Sequence, residues 1–327
     1  MIRYLRGIRR PEIYHGFDRR PPFFEGWYFK LVDAARGQRW AVIPGIFISD
    51  DPDKSHSFIQ VLDGLTGHAT YHTFPAEAFA ADPYRFEVRI ADNSFSGESV
   101  QLNIADGQRQ ISGKIQFRGC VPLVHSVYQP GIMGPFAYIP AMECYHGLLS
   151  LDHELAGTLE IDGKRHTFDG GRGYIEKDWG TNFPSAYIWM QSNHFSMPGT
   201  SLSASIARIP LWGLNFPGFI IALWHRGTHY RWATYNRSTT PRLQISDSHV
   251  TWEVTGRGMK LTLTAERHAG GLLKAPIRTE MHKRVDETMR SKLHLRLETL
   301  DGRLVLEDIG ECAALEVHGE LHRLVTP

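Results

Sequence analysis

Cysteine is scarce in this chain of 327 residues: there are three, at positions 120, 144 and 312, and no CxxC motif. Three scattered cysteines exclude a disulfide framework and a zinc knuckle, and they suit a reducing compartment. Net charge is also nearly absent, at +1, which argues against a nucleic-acid partner. A P-loop, a nucleotide-binding glycine fingerprint and a GxSxG nucleophile elbow are missing as well.

Long hydrophobic runs are lacking too. The N-terminus carries arginines at positions 3, 6, 9, 10, 19 and 20 with no apolar run behind them, which predicts a solvated tail and no signal peptide. The most apolar window, residues 209–224, is too short to span a bilayer and contains Pro210 and Pro217. It predicts a buried strand after an apolar loop, or alternatively a loop that touches a membrane. We therefore expect a cytoplasmic protein, with peripheral membrane contact as the alternative.

Most of the sequence alternates polar and apolar residues with period two, as in residues 86–90, 100–106, 111–117, 157–168, 242–246, 260–266 and 292–308. Asp-Gly pairs beginning at positions 63, 106, 162 and 301 are hairpin signals. Only residues 278–290 have the polarity of a short helix or lid. The pattern predicts an all-β protein of closed barrels or packed antiparallel sheets with little helix. We divide it near residue 180, into domains 1–180 and 181–327.

The stretch "GYIEKDW" (173–179) concentrates acidic and aromatic residues in one predicted strand. Alternation places Tyr174, Glu176 and Asp178 on one face and Lys177 and Trp179 on the other. Two neighbouring carboxylates repel, which raises the pKa of the more buried one, and a neutral acid in an apolar site can act as a general acid. The alternative is a structural ion pair of either acid with Lys177 or with the arginine at position 172.

The stretch "AYIWMQSNHF" (186–195) follows after a turn. Tyr187, Trp189, Gln191 and Asn193 share one face, which is too polar for a dry core and typical of a pocket wall. Aromatic faces stabilise a developing cation. An acid beside such rings suits protonation of an alkene and capture of the resulting carbocation.

Two further stretches carry candidate residues. In "PPFFEGWYFKL" (21–31), Glu25 and Trp27 share a face. In residues 134–153, Glu143 and Tyr145 share a face, and His146 on the other could orient an acid or relay a proton. Histidine pairs 68/72 and 225/229 have a spacing that binds metal on a helix, but they lie in strand-like sequence, so we predict no metal.

Three of these motifs, "FFEGWYFK", "GIMGPFAYIPAMECYHG" and "GYIEKDWGTNFPSAYIWMQSNHF", resemble the tocopherol cyclase family in order, between about residues 14 and 195. The resemblance implies a calycin-like pair of lipocalin-type antiparallel β-barrels. It also implies that a prenylated benzoquinol is closed to a chromanol: the alkene is protonated and the phenol oxygen captures the tertiary cation. No redox cofactor or metal is needed, because the reaction is an isomerisation. The family's plastid transit peptide is missing here, which suits a bacterial cytoplasmic or peripheral-membrane protein.

The more distant carotenoid hydratases carry a Tyr-x-Asp-x-Asn-Trp-Gly version of the third motif. Their tyrosine matches Tyr174, their acid matches Glu176, and their tryptophan and glycine match Trp179 and Gly180. Their asparagine falls at Asp178, which is a departure from the pattern. Their upstream histidine corresponds to the histidine at position 146.

We therefore predict a cyclase of a small hydrophobic prenylated quinol, with Glu176 as the proton donor and tryptophans along the path of the cation. The predicted catalytic residues are Glu176, Tyr174, Asp178 and His146, and the predicted substrate-binding residues are Glu25, Trp27, Glu143, Trp179, Trp189, Gln191 and Asn193. One alternative is a non-catalytic carrier of a lipid or isoprenoid. The other is an isoprenoid hydratase whose water is held by Gln191 or Asn193.

Overall fold

The chain forms two compact units, one comprising Met1–Phe183 with Leu272–Arg284 and the other Pro184–Gly271 with Val285–Pro327. The computed structural model describes residues 2–140, 142–211, 213–277 and 280–325. Among these residues, no helix combines the length and apolar character needed to cross a bilayer.

In the part of the first unit that the structure describes there is one α-helix, α1 (Ile2–Arg9), and a large antiparallel sheet. Over the described residues this sheet has twelve strands in the order β4-β3-β2-β1-β12-β10-β9-β8-β7-β6-β5, with β11 paired to β10. The strands are β1 (Phe23–Val32), β2 (Arg39–Ile48), β3 (His56–Asp63), β4 (Ala69–Pro75), β5 (Phe79–Ala81), β6 (Glu87–Ile90), β7 (Asn93–Ser96), β8 (Ser99–Ala105), β9 (Gln110–Arg118), β10 (Cys144–Ile161), β11 (Lys164–Thr167) and β12 (Gly171–Gly180).

A second antiparallel sheet begins with β13 and has ten strands over the described residues, in the order β16-β15-β14-β13-β22-β21-β19-β18-β17, with β20 paired to β21. Its strands are β13 (Ala186–Ser192), β14 (Thr200–Leu211), β15 (Leu214–His225), β16 (Thr228–Ala233), β17 (Thr239–Ile245), β18 (His249–Gly256), β19 (Met259–Glu266), β20 (Gly271–Ile277), β21 (Glu280–Thr299) and β22 (Leu304–Gly319). Short 3₁₀ turns occupy Gly16–Asp18, Pro52–Lys54, Ala76–Ala78, Gly134–Tyr138, Thr234–Asn236 and Leu321–Arg323.

Each sheet has a large apolar core on one face. In the first unit that core includes Trp27, Phe29 and Ile175, and in the second it includes Ile188 and Trp252. These residues are at most 1% exposed, as expected when period-two alternation sends every second side chain inward. The prediction of an all-β antiparallel fold with little helix is confirmed.

Two local predictions are wrong. The region 278–290 is strand from Glu280 onward, as part of β21, in which Glu287 and Thr288 pair with β22; Arg278 and Thr279 lie outside the described residues. The basic N-terminus is not a solvated tail: it forms α1, and Ile8 and Ile13 are buried. The free energy gained by burying these two apolar side chains outweighs the preference of the arginines between them for a fully solvated chain.

The apolar window 209–224 forms the end of β14 and most of β15, which pair as a hairpin. Ile221 and Leu223 are fully buried, while Leu214 at the turn is 71% exposed. Trp212 lies outside the described residues.

Candidate active site

Strand β12 carries the third family-like motif and lies between β1 and β10, with which it pairs antiparallel. Tyr28 on β1 and Leu148 on β10 flank Glu176, and His146 on β10 lies opposite Asp178. Position 180, the last residue of the strand, requires glycine because a Cβ there would lie 2.2 Å from the backbone oxygen of the residue at position 143. The pairing therefore fixes which side chains surround the two acids.

An acidic cluster forms on this face of β12 and β10. The Tyr174 hydroxyl donates a hydrogen bond to Oε2 of Glu176, and Nε2 of His146 lies 3.4 Å from the same oxygen. The other ring nitrogen of His146, Nδ1, lies 2.8 Å from Oδ1 of Asp178. Tyr174 and Glu176 are buried, at 0% and 4% exposed. The structure thus brings together all four predicted catalytic residues.

Electrostatics favour a protonated imidazole at the centre of this cluster. Burial lowers the pKa of His146, but Asp178 and Glu176 attract the proton more strongly and raise that pKa well above its ordinary value. The raised pKa favours the protonated form of the ring, which lies between two carboxyl groups. This arrangement can store a proton next to Glu176.

The predicted structural ion pairs are not those that form. Lys177 pairs instead with Glu25, and Arg172 pairs with Asp152. Strand alternation explains the first case, because Lys177 points to the opposite face of β12 from its neighbours Glu176 and Asp178.

Three predicted substrate-binding residues lie on that opposite face, around Lys177. Glu25 is fully buried and ion-paired with Lys177, whose Nζ lies 4.5 Å from the ring centre of Trp27 and 5.0 Å from that of Trp179. His15 stacks on Trp179, with ring centres 4.2 Å apart. Burial raises the pKa of Glu25, but Lys177 and His15 outweigh it and hold the pKa below its usual range. These residues form a closed ionic cluster that does not face Glu176.

Aromatic residues that the sequence interpretation missed lie on the face of Glu176. Phe24, Phe47, Phe58 and Tyr71 form a buried cluster, here called the aromatic cluster, against which Cys144 packs. The sulfur of Cys144 lies 4.0 Å from Oδ1 of Asp178, so the aromatic and acidic clusters adjoin. Alternation places positions 24, 26, 28 and 30 of β1 on one face of the strand. Only the pairing of β1 with β12 shows that this is the face of Glu176.

Glu143 lies just before β10 and outside the acidic cluster. Its Oε1 accepts a hydrogen bond of 2.8 Å from Asn182. Trp189 and Gln191 lie on β13 of the second unit, and Asn193 directly follows that strand; all three are buried. Their roles in substrate binding stay predictions.

Metal binding is a chemical option for the acidic cluster. One ligand atom each from His146, Glu176 and Asp178 lie within 4.8 Å of one another. However, a direct contact of 2.8 Å joins the His146 and Asp178 atoms, and Tyr174 donates to Glu176. Because these groups already satisfy one another, the donor set fits a proton-bearing cluster better than a metal site. His72, one of the spaced histidines, contacts Asp106 and Thr70 through its two ring nitrogens.

We expect His146 to make the stability of the protein depend on pH. Its folded-state pKa is raised above the ordinary 6.5, so its contribution to the free energy of unfolding is complete below pH 6.5 and is lost as the pH rises through the raised value. The wild type should therefore have a higher free energy of unfolding in urea than His146→Gln, and this difference should shrink as the pH increases. His225→Gln is the control with the opposite trend, because burial and then Arg226 lower the pKa of His225. Parallel pH profiles for the wild type and His146→Gln would contradict the assignment.

Comparison with known sequences places these features in a family context. The sequence model of the family described as "Tocopherol cyclase-like" matches residues 125–319, which include β10, β12 and the whole acidic cluster. A probable chloroplastic tocopherol cyclase from rice (Oryza sativa subsp. japonica) is 25% identical over 384 residues, covering 96% of this chain and 79% of the relative. The chloroplastic tocopherol cyclase of Zea mays is 24% identical, covering 96% of this chain and 78% of the relative.

Solved structures with the same fold are more distant in sequence. The crystal structure of CghA has a TM-score of 0.55 at 14% identity and covers 92% of this chain and 89% of its own. An AttH-like protein from Nitrosomonas europaea has a TM-score of 0.52 at 13% identity, and the match covers 93% of this chain and 98% of that protein. Kievitone hydratase from Nectria haematococca has a TM-score of 0.50 at 11% identity, and the match covers 94% of this chain and 93% of the hydratase. At these identities the likeness concerns the fold alone, and it confirms the predicted lipocalin-like class.

Proposed function

Because this chain belongs to the tocopherol cyclase-like family, we propose that the protein closes the chromanol ring of a prenylated benzoquinol by acid catalysis. The observation that carries the proposal is the buried carboxyl of Glu176, which is hydrogen-bonded by Tyr174 and approached by His146. A protein that only carries a lipid needs no buried, hydrogen-bonded carboxyl group in its binding site. A general acid, by contrast, has to be shielded from water and held in place.

The proposed reaction conserves all atoms. The His146 imidazolium supplies a proton to Glu176, and the carboxyl of Glu176 passes it to the less substituted carbon of the prenyl alkene. Positive charge is left on the tertiary carbon, and the phenol oxygen bonds to that carbon. The phenol proton returns to the carboxylate of Glu176 and passes from there back to His146, which restores the starting state. Asp178 holds the imidazole in its orientation, as the third member of a catalytic triad does.

The aromatic cluster is the proposed surface for the prenyl chain. Its rings adjoin the acid on the same face of the sheet, and aromatic faces attract a cation. Gly45 on β2 makes room for it, because a Cβ there would lie 2.4 Å from the ring of Phe58. Trp27 and Trp179 are left out of the proposed cation path, because they surround Lys177 on the other face.

Incubation in D₂O with phytylated and geranylgeranylated benzoquinols tests the proposed function. We expect a chromanol isomeric with the quinol that carries one non-exchangeable deuterium, because the alkene receives its proton from a solvent-exchanged carboxyl. The product is measured by mass spectrometry, with and without EDTA, and a loss of product with EDTA would point to metal chemistry instead. A product heavier by one water would support the hydratase, and a quinol that is bound but returned unchanged would support the carrier.

A further inference from the structure

Exposed apolar side chains concentrate on one surface of the first unit. Six of them are between 36% and 86% exposed, and we call them the N-terminal patch: Leu5, Tyr84, Val124, Val127, Tyr128 and Tyr138. Single exposed apolar residues are ordinary, but a contiguous group of this kind marks an interaction site.

Helix α1 connects the members on one side of the patch. The guanidinium of Arg6 lies 4.5 Å from the ring centre of Tyr84, and Nη1 of Arg10 donates a 2.6 Å hydrogen bond to the backbone oxygen of Tyr84. Leu5 lies on the same helix and is 46% exposed. Tyr84 and the helix thus form one surface.

The same helix connects the members on the other side. The Tyr4 hydroxyl donates to the backbone oxygen of Tyr138, at 3.2 Å, and the Tyr138 hydroxyl donates to the backbone oxygen of Val127. Val124 and Tyr128 are close neighbours of Val127 in the chain and are 64% and 86% exposed. The patch therefore consists of Leu5 on α1 and of five apolar residues from two segments of the chain, each of which contacts α1 or the residue that follows it.

Positive charge accompanies these apolar residues. Arg9, Arg10 and Arg20 are exposed, and Arg6 and Arg19 are partly exposed, although the protein as a whole carries a net charge of only +1. Glu12 compensates one of them through an ion pair with Arg10. Apolar side chains beside arginines complement a bilayer with anionic headgroups, since the former insert at the interface and the latter attract its surface charge.

We propose that the N-terminal patch docks the protein onto an anionic lipid bilayer. The patch is joined firmly to the strand that carries Glu176: Lys177 donates a 2.7 Å hydrogen bond to the backbone oxygen of Ile13, and His15 contacts the backbone oxygen of Gly7, in α1, at 3.2 Å. Docking here, and not through residues 209–224, would hold β12 near the membrane. The proposal does not depend on the cyclase assignment, because binding is measurable without substrate.

Cosedimentation of the full chain with vesicles tests the proposal. We expect binding to phosphatidylcholine vesicles that contain phosphatidylserine, weaker binding to phosphatidylcholine alone, and release at 1 M salt, where the screening length falls from about 10 Å to about 3 Å. Tyr128→Asp should abolish most of the binding. Arg9→Gln should weaken it by roughly fivefold, the size expected for one arginine at a charged surface.

Two residues of the β21–β22 connection provide matched controls. Leu300 is 65% exposed, as Val124 is, and the neighbouring Arg303 is also exposed. Leu300→Asp and Arg303→Gln should bind vesicles as the wild type does, and circular dichroism should show all variants folded. Equal binding to both vesicle types, no binding to either, or equal losses in the controls would overturn the proposal. So would a concentration-dependent dimer that Tyr128→Asp converts to a monomer, because a second copy would then cover the patch.

Discussion

Glu176→Gln is expected to lower kcat by about 10²–10⁴-fold, the usual contribution of a positioned general acid. Glutamine keeps an oxygen that can accept the hydrogen bond from Tyr174 but has no acidic proton to give to an alkene. The fold should survive, because the change is nearly isosteric and β12 keeps its pairing with β1 and β10. The measurement is the rate of chromanol formation, with quinol binding followed separately by equilibrium dialysis.

The control for this variant is Glu154→Gln, which removes an exposed carboxylate from β10 and should leave kcat unchanged. Retention of full activity by Glu176→Gln would make the assignment of the acid wrong. Asp178 would then be the next candidate, since it contacts His146. Glu25 is excluded from that role by its ion pair with Lys177, and Glu143 is bonded to Asn182 outside the acidic cluster.

Lys177→Met is expected to lower the free energy of unfolding by about 3–5 kcal/mol, because removing one member of a buried ion pair leaves the other charge uncompensated. Lys177 and Glu25 are both fully buried, so Glu25 would lose its counter-charge where water cannot replace it. The hydrogen bond from Lys177 to Ile13 and the contacts with Trp27 and Trp179 would be lost as well. Urea unfolding followed by tryptophan fluorescence measures the loss.

The double variant Lys177→Met with Glu25→Gln separates the charge effect from lost packing. It should recover much of the stability, because neither position then carries an unpaired buried charge. Lys114→Met, at an exposed position of β9, is the matched control and should change stability little. A loss below about 1 kcal/mol for Lys177→Met would mean that Glu25 takes up a proton or another partner instead.

Alternation along the chain was enough to predict which residues share a face. Tyr174, Glu176 and Asp178 do lie on one side of β12, and Lys177 and Trp179 on the other. The reason is local: successive side chains of any strand point to opposite sides, whatever the strand pairs with. The same local rule, together with the hairpin signals, predicted the all-β fold, and the long third motif predicted the family.

Alternation could not predict which side chains from other strands lie beside each face of β12. Lys177 is 152 positions from its partner Glu25, and His146 is 32 positions from Asp178, so both contacts depend on strand order and register. A shift of one residue in that register would exchange the two faces. For this reason the sequence interpretation grouped Glu25 and Trp27 with the acid and missed Phe24, Phe47, Phe58 and Tyr71. It also counted Trp179 as substrate-binding, although alternation already placed that residue on the other face of β12.

The sequence by itself therefore determined the fold class, the family and the shared face of Tyr174, Glu176 and Asp178, because these follow from local periodicity and from the family-like motifs. Only the tertiary structure decided that β12 presents an acidic cluster on one side and a closed ionic cluster on the other. It also decided that the basic N-terminus is a packed helix among exposed apolar residues. The two arrangements depend on contacts between distant parts of the chain. Such contacts form where they bury apolar surface and also give each buried charge a partner.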